Sequence, residues 1–151
     1  MYGFTNLFTD AISEVGTTAK ADVGTLRQYA GNLYRYVYNG SASTIAVGNG
    51  VILTAAASDF TVTLSSVSND SKCVGVIKHT ALPTLNYGWA LVNGIGTVLA
   101  GDAISFAAGA NIGLGANGVF APVTGATGVG VGTSLSAAAS GASATAFIAC
   151  L

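Results

Sequence analysis

The chain has 151 residues, a formal net charge of −1 and charged side chains at only 7% of its positions. Globular proteins average about a quarter, and five Lys and Arg in all form no basic patch of the kind that holds nucleic acid. We therefore interpret the chain as a single-domain subunit whose surface is largely covered by neighbouring proteins, and we expect no nucleic-acid partner.

The apolar runs are too short for a membrane span. A spanning helix needs about 20 mostly apolar residues, whereas Gly, Asn, Ser or Thr interrupts the runs of this chain every few positions. The opening stretch MYGFTNLFTDAISEVG has no basic region and contains Asp10 and Glu14, so it does not resemble a secretory signal. The sequence thus predicts no membrane partner.

Residues 1–32 are predicted to form an N-terminal arm ahead of a body spanning residues 33–151. Within the arm, Thr9 is a candidate N-cap and Gly16 a candidate end for a short helix. The rest of the arm shows no sustained hydrophobic period. We expect it to be ordered by a partner or by the body of the fold.

A row of alternating tyrosines opens the body in the stretch LYRYVYNG. A strand would place Tyr34, Tyr36 and Tyr38 on one face and Arg35 on the other. Three interpretations are open: a stacking platform for a base or sugar, one side of an ordinary core, or a contact surface for another protein. Core or contact surface is favoured, because no basic groove accompanies the row and Tyr combines large apolar area with a hydroxyl that tolerates partial wetting.

From residue 33 onward, short apolar runs alternate with turn signals such as NGS, GNG, SND, AGD and the Asn93-Gly94 pair. This pattern predicts an all-β fold, a small antiparallel β-sandwich or barrel of short strands with the extended arm before it. The candidate strands are Tyr34–Val37, Val51–Leu53, Thr61–Leu64, Val74–Lys78, Trp89–Val92, Thr97–Leu99, Ile104–Phe106, Val119–Ala121, Val129–Thr133 and Ala144–Ala149.

Residues able to carry chemistry are few and scattered. His79 is the single histidine, and no serine lies in a G-x-S-x-G motif, so a polar residue at a strand end is the favoured interpretation. The carboxylates and cysteines lack metal-ligand spacing, and the stretches GIGTVLAG and GANIGLGANG lack the following helix and acidic residue of a dinucleotide site. We predict no catalytic residue, no metal and no cofactor, and hence no enzyme.

The two cysteines, Cys73 and Cys150, stand in apolar, strand-like contexts, KCVGVI and AFIACL. Two buried free thiols acting as small hydrophobic residues are favoured. A disulfide remains open if the two strands are neighbours.

Four stretches of the body resemble the capsid decoration, or cement, proteins of tailed bacteriophages: RYVYNGSAS, CVGVIKHTA, YGWALVNGIGTVLAGD and GVGVGTSLSAAASGASATAFIACL. The corresponding residues are Val74-Gly75-Val76, then Trp89, Val92 and Gly94, then Gly101-Asp102, and finally Val129 to Leu135 with Gly141 and Phe147-Ile148. The resemblance spans Leu33 to Leu151 and rests on the order of these motifs. It implies a β-tulip-like body.

The resemblance further implies a structural virion protein that assembles in the host cytoplasm. Such a protein binds the outer surface of the head between major capsid subunits and stabilises the expanded shell against internal DNA pressure. Its expected partners are the major capsid protein and copies of itself in a homotrimer. We expect capsid or subunit contacts from the arm and from the aromatic residues of the body: Tyr2, Phe4, Leu7, Phe8, Tyr34, Arg35, Tyr36, Tyr38 and Trp89.

Two alternatives remain at this point. One is a tail or fibre structural subunit, which would share the low charge and the many glycines. The other is a carbohydrate-binding β module that exposes Trp89 or the tyrosine row.

Overall fold

The computed structural model describes residues 10–54, 59–67, 72–123 and 130–150, and within these ranges the chain is built from β-strands. The strands are β1 (Leu26–Tyr29), β2 (Asn32–Asn39), β3 (Gly50–Leu53), β4 (Thr61–Thr63), β5 (Cys73–Ile77), β6 (Tyr87–Leu99), β7 (Asn111–Leu114), β8 (Phe120–Pro122), β9 (Gly132–Ser134) and β10 (Ser143–Ala149). A single 3₁₀ turn is seen in this part of the chain, at Ala116–Gly118. The predicted all-β class with barrel architecture is confirmed.

Five strands close into a small barrel. The order β2-β4-β3-β5-β6 returns to β2 through a direct β2–β6 pairing, and all of these pairs are antiparallel except β2 with β4. Alternate side chains of these strands, with two from the connecting loops, fill the barrel interior: Val37, Ile45, Val51, Val62, Ile77, Leu82 and Ala90. Closure pairs the strand edges of the barrel with one another.

A second unit, which we call the lobe, grows from the same strand β6. This strand has 13 residues, and its later half pairs with β10, which is followed by β9, β7 and β8. A parallel bridge between Ala100 and Phe120 brings β8 back against the end of β6. The barrel and the lobe therefore share one continuous strand.

A second apolar core joins the lobe to the outside of the barrel. It contains Tyr34, Tyr36 and Trp89 from the barrel strands, and Ile112, Leu114, Phe120 and Ile148 from the lobe. Gly50 lies so close to this junction that an added Cβ would be 2.5 Å from a methyl group of Leu114. The Asn49 side chain also donates a hydrogen bond of 3.1 Å to the carbonyl of Asn117.

The turn predicted at Asn93-Gly94 is wrong, because both residues lie inside β6. Gly94 has φ of +127°, and a Cβ there would meet the Asn32 side-chain oxygen at 2.1 Å. That oxygen accepts a hydrogen bond of 2.9 Å from the Ile95 amide, and the Lys78 ammonium donates to the Ile95 carbonyl at 2.7 Å. Gly94 therefore leaves room for the Asn32 side chain to accept from the Ile95 amide, instead of turning the chain.

Other strand predictions also differ from the structure. Residues 104–106 do not form a strand; Phe106 instead makes an isolated bridge with Ala138. Strands β1 and β7 were not predicted. The candidate strand that begins at Val129 is observed as β9 from Gly132, while Val129 itself lies outside the described residues.

The segment from Asp10 to Ala30 packs on the body. The short helix predicted to end at Gly16 is not formed over residues 10–16, which instead make turns and a bridge from Gly16 to Tyr87. Ile12 is buried in the second core, and β1 pairs with β2. The boundary predicted at residue 33 therefore falls inside the β1–β2 hairpin.

Candidate functional site

The tyrosine row lies on β2, where alternation directs the first two rings into the core outside the barrel. Tyr34 and Tyr36 are 1% and 3% exposed. Tyr38 is partly buried, and its ring centroid lies 4.8 Å from that of Tyr87. The structure thus places the first two rings in the core of the chain itself, which is one of the two interpretations favoured from the sequence, whereas the resemblance implied a capsid or subunit contact.

Trp89 is the centre of the aromatic cluster and is 4% exposed. Its ring centroid lies 4.9 Å from that of Tyr36, because the two residues are paired across β2 and β6. The indole Nε1 donates a hydrogen bond of 2.9 Å to the buried Asp10 carboxylate. Trp89 therefore stabilises the fold and presents no ring face to a sugar or to a partner.

Asp10 is held from a second side by Arg27. The guanidinium donates a hydrogen bond of 2.8 Å to the Asp10 carbonyl, and it lies 3.8 Å from a carboxylate oxygen of the same residue. A buried carboxylate needs such partners, because burial without them is costly. The arrangement fixes the start of the described chain against β1 and β6.

The Tyr34 hydroxyl is paired with His79, whose Nε2 lies 3.1 Å away. Burial raises the pKa of Tyr34 above its ordinary value. Partial burial, with the neighbouring Lys78 charge, lowers the pKa of His79. A neutral imidazole and a neutral phenol then share one hydrogen bond, which is a structural contact at the edge of the core.

Arg35 points away from the tyrosines, as the alternation predicts. Its guanidinium carbon lies 4.5 Å from the centre of the Phe60 ring, and burial lowers its pKa from the ordinary value. The side chain is partly buried against the barrel. The remaining predicted contact residues, Tyr2, Phe4, Leu7 and Phe8, lie outside the described residues.

An exposed apolar surface that the sequence reasoning missed lies on the lobe. Ile95 is 52% exposed and Phe147 41%, and they are direct cross-strand partners on β6 and β10. Leu135, 50% exposed, lies just after β9 and its amide donates to the Thr145 carbonyl at 2.8 Å. With Thr97 and Thr145, these residues form a sheet face of uncharged side chains, which we call the lobe face.

The strict alternation of exposed and buried residues along β10 indicates the lobe face. Along Ser143–Ala149, every second residue is exposed and the residues between are buried. One side of the strand packs into the lobe, and the other side presents Thr145 and Phe147 outward. The available clue in the sequence was a phenylalanine in a stretch without charges, with the small residues Thr145 and Ala149 two positions away on either side.

A cleft of about 410 Å³ lies between the end of β6 and the turn at Ala116–Gly118. Asp102 is the charged member of its lining, which otherwise consists of small and apolar residues with Asn117. Asp102 is thus a single carboxylate in an otherwise uncharged cleft.

Across the ranges that the structure describes, no three His, Cys, Asp or Glu side chains are grouped so as to hold a metal ion. The described part of the chain also contains no helix long and apolar enough to cross a membrane.

The chain matches no protein-family model and no curated protein sequence. Its fold is similar to that of a solved structure, the N base of head fiber gp8.5 of bacteriophage phi29. The two share 14% sequence identity with a TM-score of 0.57, over 77% of this chain and 92% of that chain. At this identity the likeness concerns the fold, and it spans nearly all of the phage domain.

Proposed function

We propose that this chain is a structural protein of a bacteriophage virion that binds the outer surface of the head between major capsid subunits. There it would stabilise the expanded shell against the pressure of packaged DNA. The observation that carries the proposal is the likeness to the base of a phage head fiber, which covers 92% of that domain. The order of decoration-protein motifs in the body independently favours the same class of protein.

The composition and the lobe face support a role based on binding. A chain with charges at 7% of its positions and three large apolar residues on one sheet face has surface suited to burial against protein. Many copies on one shell add their modest individual contacts through multivalency. A binding role of this kind needs no catalytic residue.

We assign the lobe face to contact between copies of the chain, in a homotrimer. Ile95, Leu135 and Phe147 carry no charge that a neighbour must neutralise, and closed symmetry would bury each copy's face. The capsid contact is proposed for the apolar side chains of the first residues, Tyr2, Phe4, Leu7 and Phe8. These residues precede Asp10, which the Trp89 and Arg27 contacts fix to the body.

A second candidate is the base of a fibre, because the structural neighbour is itself a fiber base. In that case the chain would attach a projecting fibre to the virion and contribute little to shell strength. A role as a structural subunit of the tail belongs to this second candidate. A carbohydrate-binding role for Trp89 or the first two tyrosines is disfavoured by their burial.

The test is electron cryo-microscopy of phage heads produced with this chain and of heads produced after deletion of its gene. The decoration role predicts density lost from the outer surface at capsomer junctions, together with heads that burst at lower temperature. Loss of a projecting fibre or of tail density, with head stability unchanged, would favour the second candidate and reject the decoration role.

Two variants separate the proposed contacts. Ile95→Lys with Phe147→Lys should dissociate the trimer in light scattering, while Leu85→Lys, which changes an apolar residue 59% exposed elsewhere, should leave it intact. Deletion of residues 1–9 should abolish binding to heads without changing the oligomeric state. A trimer that survives the double substitution would reject the assignment of the lobe face.

A further inference from the structure

The two cysteines meet where the barrel adjoins the lobe. Cys73 is the first residue of β5, a barrel strand, and Cys150 directly follows β10, a strand of the lobe. They are 77 positions apart in the chain, yet their Sγ atoms lie 2.8 Å apart as free thiols. Both are buried, with 7% and 3% exposure.

Shared pairing with β6 accounts for this proximity. Strand β5 pairs with β6 through Val76 and Leu91, and β10 pairs with β6 up to Ala149 and Asn93. The Cys150 amide then donates a hydrogen bond of 2.9 Å to the Val92 carbonyl. Both cysteines are thus positioned by backbone pairing around the middle of β6, and their side chains converge.

We propose that Cys73 and Cys150 are a redox pair that closes an intramolecular disulfide between the barrel and the lobe. A disulfide bond is about 2.05 Å long, so the sulfur atoms need to approach by less than about 1 Å. The backbone on both sides is already hydrogen-bonded in place.

The reaction requires an oxidant, for which a small disulfide such as oxidised glutathione suffices. The Cys150 thiolate attacks one glutathione sulfur, forming a mixed disulfide and releasing one glutathione thiolate. The Cys73 thiolate then attacks the Cys150 sulfur and displaces the second glutathione. Two protons and two electrons leave the protein, and one oxidised glutathione becomes two reduced molecules.

The surroundings predict slow oxidation in the native state. The hydrogen bond with Cys73, together with burial, raises the pKa of the Cys150 thiol far above its ordinary value. Because the thiolate is the reacting species, attack awaits a local opening that exposes the sulfur. Cys150 lies at the end of β10, and strand ends open more readily than strand centres.

The disulfide would join the barrel to the lobe and would close a covalent loop that contains most of the body. Such a long loop restricts the unfolded chain strongly, and the thermal midpoint should rise by about 5–15 °C. On the proposed function, the chain would assemble with free thiols in a reducing cytoplasm and become locked after release into an oxidising medium.

The experiment treats the purified full-length chain with oxidised glutathione or with dithiothreitol. The chain is then denatured in the presence of N-ethylmaleimide, which labels free thiols, and it is analysed by intact mass spectrometry. The expected product is a monomer that has lost two hydrogens and takes up no maleimide. Cleavage by trypsin after Lys72 and Lys78 separates the two cysteines in sequence, so residues 73–78 should remain attached to the C-terminal peptide until reduction.

Thermal melts complete the test. The difference in midpoint between oxidised and reduced protein should vanish in Cys150→Ala and in Cys73→Ala. Two maleimides on every chain after prolonged oxidation would overturn the proposal, as would disulfides found only between chains. The mass measurement uses the unmodified protein and does not require that either variant folds.

Discussion

Trp89 illustrates at the scale of a single residue how the N-terminal segment is attached to the body. Its indole hydrogen bond reaches the buried Asp10 carboxylate, while its ring packs on Tyr36. The side chain therefore combines apolar burial with satisfaction of a charge that water cannot reach. Trp89, a candidate sugar-binding side chain in the sequence, is part of the core instead.

Replacing Trp89 by Phe keeps an aromatic ring but removes the N–H group. We expect the free energy of unfolding to fall by about 1–3 kcal/mol, because a buried charged acceptor loses one of its hydrogen bonds. Urea unfolding followed by circular dichroism measures the change. Tyr29→Phe, at a side chain 49% exposed, is the control and should differ from the wild type by less than about 0.5 kcal/mol. Equal stability of both variants would contradict the role assigned to the indole.

His79 gives a prediction about pH. Its pKa in the folded chain is lowered by partial burial and by Lys78, so the unfolded chain, with a histidine pKa of about 6.5, binds the proton more readily. The stability contributed by the neutral form is present above that pH and is lost as the pH falls through the lower folded pKa.

The variant His79→Gln should therefore lose less stability than the wild type between about pH 7.5 and pH 5. Urea midpoints measured across this range give the comparison, and glutamine retains a polar group opposite the Tyr34 hydroxyl. Parallel curves for the two proteins would show that His79 titrates no differently in the folded and unfolded chains.

At the scale of elements, β6 is the strand on which the fold depends. Its first half closes the barrel against β2, and its second half begins the lobe against β10. Glycines allow close approach of neighbouring strands at selected points. At Gly132 in β9, an added Cβ would lie 2.3 Å from the carbonyl oxygen of Phe147 in β10.

Gly132→Ala should consequently destabilise the chain by about 1–3 kcal/mol, since the clash involves backbone and no side chain can rotate away. Gly16→Ala is the matched control, because an added Cβ there meets nothing within 4 Å. Chemical unfolding of both variants measures this difference in stability. A Gly132→Ala protein as stable as the control would mean that the β9–β10 pairing is looser than described.

The whole molecule has two units that share a strand and a core, and this arrangement should make them unfold together. The core that contains Trp89 extends into the lobe through Ile112, Phe120 and Ile148. Separating the lobe would expose this surface and break the middle of β6. We therefore expect neither the barrel nor the lobe to be stable on its own.

We predict one cooperative transition in urea, with coincident midpoints for Trp89 fluorescence and for far-ultraviolet circular dichroism. The Gly132→Ala substitution in the lobe should shift both midpoints equally, although Trp89 lies on the barrel. If the dichroism moved and the fluorescence did not, the lobe would be an independently unfolding unit.

Local patterns predicted much of the β structure. Short apolar runs with turn residues between them gave the all-β class, and eight of the strands contain residues foreseen as strand. Strand β7 was not predicted, because Asn111–Leu114 is short and is interrupted by a glycine. The Asn93-Gly94 turn failed because Gly94 serves a contact with Asn32, distant in sequence. Such a contact leaves no local signature.

The sequence by itself determined the all-β class, the scarcity of charge and the alternation of β2 and β10, since these follow from composition and from the two-residue period of a strand. The tertiary structure alone decided which side of each strand is covered. Tyr34 and Tyr36 became core because the lobe, together with Ile12, Ala21 and Val23, packs into the same cluster, while Phe147 stayed exposed because nothing in the described chain lies above β10. It also brought Cys73 to Cys150, because pairing around β6 joins strands that are remote along the chain.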